Sequence, residues 1–296
     1  MHIVGMTFSI TAACLWAIAV ILFKKSGESL SPMALNLLKT TVTLALFIPT
    51  LLLAGVDMFP SKPISDWVIF SLSGFFGIAL ADTLLFMALI RIGAGMTGIV
   101  ECLYLPFVIF LSFFFLDERL GVKGMIGATL VISGILSCSI SRQAMHVTRK
   151  DLVSGIFFGA TAILLIAASI VMIKEPLGRT PVLWASFARV LAGTLGLYGI
   201  ALLRSRHRQL LSEFLRSRTL LTALAASIIG NYLAMFCWLV GMKYTMVSIA
   251  AIFNQLAVVF IIVLAAIFLK EPLTRSRILA TLLAVSGAIL TATTVQ

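Results

Sequence analysis

The stretch that decides the fold runs from Gly77 to Gly134, GIALADTLLFMALIRIGAGMTGIVECLYLPFVIFLSFFFLDERLGVKGMIGATLVISG. It is almost wholly apolar, and its breaks are short. Arg91 to Gly95 interrupts it once, and Asp117 to Lys123 interrupts it again. The run between them, 94–116, is long enough to cross a bilayer core of about 30 Å, which takes roughly 20 apolar residues in a helix. It is also far longer than a barrel strand. A helix is then the form that satisfies every backbone polar group in lipid.

The same pattern continues in both directions. Apolar runs fall at 4–23, 33–54, 67–90, 94–116, 122–141, 152–173, 182–203, 219–242, 247–269 and 275–294. This predicts an all-α polytopic membrane protein of about ten transmembrane helices. Composition agrees: 61% of the residues are hydrophobic and 11% charged, and the mean hydropathy is +1.14. A soluble domain carries about a quarter of its residues charged. Most of this surface therefore faces lipid. The net charge of +11 sits in short connectors, where it sets topology and meets anionic headgroups. Nucleic acid is not the implied partner. Cys14, Cys102, Cys138 and Cys237 lie inside apolar runs without metal-ligand spacing, so neither zinc nor a disulfide is implied. The first run lacks a basic region before it, and Lys24 and Lys25 follow it, which reads as a span and not as a cleaved signal.

The chain repeats itself. Leu116 to Leu120, LDERL, recurs as Leu269 to Leu273, LKEPL, at a shift of 153. Carried on, that shift sets Leu130 over Leu283, Ser133 over Ser286 and Gly134 over Gly287. Upstream, a shift of 150 sets Asn36 to Lys39 over Ser186 to Arg189. Two five-helix repeats follow, 1–145 and 146–296. Five spans is an odd number, so the halves enter the membrane in opposite senses. Inverted repeats of this kind are a transporter architecture, with the site near the midplane between the halves.

Residues 77–134 resemble the EamA domain of the drug/metabolite transporter superfamily. The likeness rests on Asp82-Thr83, the small-residue turn at Gly93, Pro106 in the fourth span and Leu116 to Leu120 before the fifth. The second copy extends it over nearly the whole chain. It departs at Val259, where the first copy has Pro106, and at Lys270-Glu271-Pro272, in place of Asp-Glu-Arg. The resemblance implies a ten-span carrier. The small multidrug-resistance relatives bind protons and substrate on a glutamate in their first helix. This first helix holds no acid, so their coupling does not transfer.

Four charges lie well inside spans: Lys39, Asp82, Glu101 and Arg189. Each costs about 2.5–3.5 kcal/mol on insertion scales and so demands a reason. Counted from the span ends, Lys39, Asp82 and Glu101 fall at roughly 9–12 Å from one face, and Trp16 shares that layer. The plainer reading is a structural ion pair, with Lys39 neutralising one carboxylate. One acid is then left over, and burial disfavours its charged form, which suits a proton carrier. The expected division is Lys39 with Asp82, and Glu101 for coupling; the alternative for Asp82 is to cap a broken helix beside Thr83. The second repeat offers Arg189, Asn254 and Gln255 at the matching depth, with Asn231 nearer mid-span and Trp238 seven residues on. Arg189 is expected to face the cavity and bind an anionic group, against the plainer reading that it snorkels to headgroups. For Asn231, Asn254 and Gln255 the plainer role is interhelical hydrogen bonding. For Trp16, Tyr104 and Trp238 it is packing, and Trp184, close to a span end, is expected as an interfacial anchor. Gly155, Gly159, Gly193, Gly196 and Gly199 suggest close helix packing.

The function expected is a secondary active transporter of the inner (plasma) membrane. It exports small organic solutes, such as amino acids, related metabolites or toxic compounds, with protons as the coupling ion. The alternative is a flippase for lipids or lipid-linked sugars. An enzyme would need a catalytic constellation, but His2, His146 and His207 lie in termini and connectors. No nucleotide-binding loop is present, so neither ATP nor a cofactor is implied. Lys and Arg on the connectors divide 14 to 6 between the two faces. The positive-inside rule then puts the richer face in the cytoplasm and both termini outside, opposite to the way the family is usually drawn.

Overall fold

In a computed structural model of the protein, the described residues are 2–116, 147–203, 207–244 and 256–292, with 126–127, 129–130, 133–134 and 253–254. Among them the chain is helical, without a strand. The elements are α1 (His2–Ser26), α2 (Pro32–Leu53), α3 (Ile64–Gly74), a π-helical stretch (Phe75–Leu80), α4 (Ala81–Glu101) and α5 (Tyr104–Leu116). The second half holds α6 (Arg149–Gly178), α7 (Val182–Leu203), α8 (His207–Arg216), α9 (Leu220–Ala226), a second π-helical stretch (Ser227–Ala234), α10 (Met235–Tyr244), α11 (Leu256–Phe268) and α12 (Arg275–Ala292).

Among the described residues, six helical stretches are long and apolar enough to cross a membrane: 3–26, 32–53, 64–101, 149–178, 182–203 and 220–241. Shorter apolar helices cover 256–268 and 278–287. Most of the expected fifth run, 122–141, lies outside the described residues. The stretch 64–101 contains the expected break between two runs, at Gly93 (φ 81°, ψ 169°). Only a residue without Cβ adopts that backbone readily. Other ends are fixed by side chains. Ser31 caps α2, accepting from the Ala34 amide at 3.3 Å with Pro32 just inside. Thr148 does the same for α6 through Asp151, at 3.1 Å. Both follow the usual preference for a hydroxyl at the cap.

The halves are swapped into each other. The first helix of the first half, α1, packs on the second π-helical stretch, α10 and α11; reciprocally, α6 packs on the first π-helical stretch, α3 and α4. Small residues permit this closeness. A Cβ on Gly155 would come within 2.3 Å of Ile92, and one on Gly196 within 2.5 Å of Phe75. Among the described residues, a Cβ on Gly199 would meet nothing within 4 Å, unlike those on Gly155 and Gly196. In lipid such close contact, with interhelical hydrogen bonds, replaces the hydrophobic drive that water would supply.

Connectors gather at two ends. At one, the Ser31 amide donates to Glu213 at 3.0 Å, Ser29 and Ser217 hydroxyls pair at 2.9 Å, and Lys24 Nζ donates to the Ile90 carbonyl at 2.7 Å. At the other, Arg179 pairs with the buried Asp66 at 2.6 Å. There Trp184 corrects an expectation. It is fully buried, edge-on to Trp67 and Phe70, with Nε1 donating to the Met58 carbonyl at 3.1 Å. The connector from α2 to α3 folds over this helix end and supplies the indole's partner, the Met58 carbonyl. The basic connector after α7 forms the surface helix α8, which turns Leu210 and Phe214 inward.

Candidate substrate cavity

Between the halves lies a cavity of about 200 Å³. Trp16, Lys39, Asp82, Glu101 and Tyr104 line it from the first half, and Arg189, Asn231, Trp238 and Asn254 from the second. These are nine of the ten residues picked out by depth and polarity; the tenth, Gln255, lies outside the described residues.

Two π-helical stretches shape the walls, at matching places in the two halves. A π turn widens the helix and frees carbonyls, a device common at functional sites. In the first, Asn36 answers those carbonyls. Its Nδ2 donates to Ile78 at 2.8 Å and Ala79 at 3.2 Å, and contacts Thr83 Oγ1 at 2.9 Å. The second carries Asn231, whose Nδ2 crosses between the halves to Thr43 Oγ1 at 2.9 Å.

Lys39, only 1% exposed, forms an ion pair with Asp82, and its ammonium lies 5.4 Å from the Phe86 ring centre. Asp82 therefore serves as counter-charge, and no side chain caps α4. Glu101 is held differently. Its Oε2 accepts from Trp16 Nε1 at 3.1 Å, while Oε1 is buried with no hydrogen-bond partner among the described residues. The pairing of Lys39 with Asp82, expected from depth, is what the structure contains, and Glu101 is the acid left over.

Arg189 is 5% exposed and does not reach headgroups. One terminal nitrogen donates to Ser169 Oγ at 3.3 Å, and Nε is buried without a partner among the described residues. Two glycines make room for it. A Cβ on Gly74 would fall 2.1 Å from the Arg189 carbonyl oxygen, and one on Gly77 would fall 3.4 Å from the guanidinium. Of the four charges well inside spans, Lys39 and Asp82 neutralise each other. The remaining acid and base face one space with hydrogen-bonding capacity unspent among the described residues. Intramembrane charge so placed marks a substrate or ion pathway.

Sequence reasoning missed Asn36, Thr43, Ser169 and Glu271. Asn36, Lys39, Thr40 and Thr43 form a polar stripe at spacings of three and four on an apolar helix, a signal that was available. Ser169 had none, since a lone serine in a span is common. Glu271 stood in the repeated motif but without an indicated partner. Its Oε1 and Oε2 accept from the amides of Ala94 and Gly95, at 2.8 and 3.2 Å.

These features define a multi-pass helical membrane protein of two repeats with a charged cavity between them. The chain belongs to the EamA-like transporter family, whose sequence profile matches residues 3–140 and again 153–293. No curated relative matches it. A solved structure described as "Crystal structure of protein" is similar with a TM-score of 0.67 at 21% identity, over 97% of this chain and 95% of its own. At that identity the likeness carries the fold alone.

Proposed function

We propose that this transporter is a proton-coupled secondary carrier that exports small organic solutes across the inner (plasma) membrane. Ten spans in two inverted repeats, 1–145 and 146–296, alternate access to the cavity between them. The observation that carries this reading is a pair of buried atoms without a hydrogen-bond partner among the described residues, Glu101 Oε1 and Arg189 Nε, on residues that line one cavity from opposite halves. Arg189 binds the anionic group of the solute, since a guanidinium offers a bidentate fork to a carboxylate. Glu101 takes the coupling proton at Oε1 while Trp16 holds Oε2. Trp238, Tyr104, Asn231 and Asn254 supply apolar walls and hydrogen bonds. At about 200 Å³ the cavity is below the range of roughly 300–1,000 Å³ typical of drug-sized sites, which favours an amino acid or similar metabolite. Buried charge of both signs favours such a solute over a lipid.

The test uses proteoliposomes with an imposed pH gradient and labelled amino acids. Glu101→Gln abolishes gradient-driven accumulation and spares solute exchange. Uphill transport by Glu101→Gln at the parent's level refutes the assignment.

A further inference from the structure

Glu271 lies far from the cavity in sequence and at one end of the bundle, yet it is tied to Glu101 through a single short helix. The segment from Ala94 to Glu101 begins at the Gly93 break and ends just before the turn at Cys102 and Leu103. Eight residues make a rod of about 12 Å. At its start, both oxygens of Glu271 accept the amides of Ala94 and Gly95. These amides belong to the first turn after the break, where N–H groups have no partner within the helix. At its far end, Glu101 faces the cavity. The rod lies along α11 of the other half, with Gly98 against Ile261, where a Cβ would stand 3.2 Å from the isoleucine.

Glu271 is itself fixed from the second half. Its amide donates to the Ala265 carbonyl at 3.2 Å, closing the end of α11, and the preceding Lys270 has φ 53°. Gly93 is shaped around the carboxylate. A Cβ there would fall 2.8 Å from Oε1, and its φ of +81° excludes most side chains. The two halves thus grip one another through a carboxylate and two backbone amides, where the turn after residue 90 meets the turn after residue 268.

We propose that Glu271 is a positioning residue for transport, a clasp that sets the rod carrying Glu101 and must release when that face of the protein opens. The inference rests on the alternating-access reading above. It assigns a task to the second copy of the Leu-x-Glu motif, to act on the other repeat. When the halves separate at this face, the amides of Ala94 and Gly95 leave the carboxylate, and the rod is free to tilt with Glu101 at its tip. Weakening the clasp favours the conformation open at this face.

The test reads conformation, not transport, so failure of the proton-coupling reading leaves it intact. Cys14, Cys102, Cys138 and Cys237 are replaced by alanine, and the cavity position Ala234→Cys is labelled with an impermeant maleimide. Right-side-out and inside-out vesicles expose each face in turn. Glu271→Gln keeps the shape but loses the charge-assisted bonds. One such bond shifts a two-state equilibrium by about ten- to a hundredfold. Labelling from the clasp face should therefore rise about tenfold or more over the Glu271 parent, without a matching rise from the other face. Glu271→Asp, which keeps the charge on a shorter arm, should fall between. Monodispersity in detergent confirms folding of each variant; if Glu271→Gln aggregates, Glu271→Asp carries the test alone. Equal labelling in parent and variant, or a rise from both faces alike, overturns the proposal and leaves the contact as a helix cap only.

Discussion

Replacing Lys39 by methionine keeps a straight chain of similar length and removes only the charge. Asp82, with 14% of its side chain exposed, then faces the cavity without a counter-ion. Breaking a buried pair from one side costs about 3–5 kcal/mol, because an uncompensated charge remains. The partial exposure of Asp82 lets water relieve part of that, so the lower figure, about 3 kcal/mol, applies here. Removing both partners is different. Lys39→Met with Asp82→Leu leaves no orphan charge, and apolar replacements of buried pairs are often neutral or stabilising. The double variant should therefore lie within about 1.5 kcal/mol of the parent, as conservative swaps of similar volume do. Unfolding in mixed micelles, titrated with a denaturing detergent, gives the four corners of the cycle. With each single variant costing about 3 kcal/mol or more and the double within about 1.5 kcal/mol, the expected coupling is about 4.5 kcal/mol or more, above the roughly 0.5–3 kcal/mol usual for residues in contact. Additive single effects would refute the reasoning, since the two groups would then have separate partners in the working protein.

At Arg189, substitution by lysine should keep transport at reduced affinity, because an ammonium lacks the bidentate fork. Arg189→Gln should lose binding, as read by equilibrium binding of labelled solute; normal binding by both places the solute elsewhere. Asn36→Ala should destabilise the fold by about 1–3 kcal/mol, the cost of stranding buried acceptors, since the carbonyls of Ile78 and Ala79 lose their donor. Detergent unfolding checks it, and a change under about 0.5 kcal/mol would show that the π turn needs no such partner. A cysteine placed in the basic connector 204–218 should be inaccessible to an impermeant reagent applied outside intact cells, because the positive-inside rule assigns this face to the cytoplasm; labelling from outside reverses the orientation.

Much of the cavity was readable because lipid is an unforgiving solvent. Each intramembrane charge needs a reason, and counting residues from a span end gives depth directly through the helix rise. Depth placed Lys39, Asp82, Glu101 and Trp16 in one layer, and the structure joins them as Lys39 with Asp82 and Trp16 with Glu101. Depth says nothing of rotation about the helix axis. Asn36 was passed over because its place on the inner face depends on how α2 turns against the π-helical stretch 75–80. Trp184 was misread for a related reason: its distance from the span end was right, but a connector from the other half covers it.

By itself the sequence determined the helical, membrane-spanning class and the two repeats, and it singled out the charges inside apolar runs. All of this follows from local quantities: run length, hydropathy and spacing along one chain. Tertiary structure alone decided which partner each charge meets. Arg189 rests on Ser169 and lies over Gly77 of the other half, and Glu271 reaches across to the amides of Ala94 and Gly95. Such contacts join residues of different helices. They depend on the angle and rotation at which helices cross, which close packing of small residues sets and no spacing within a single helix encodes.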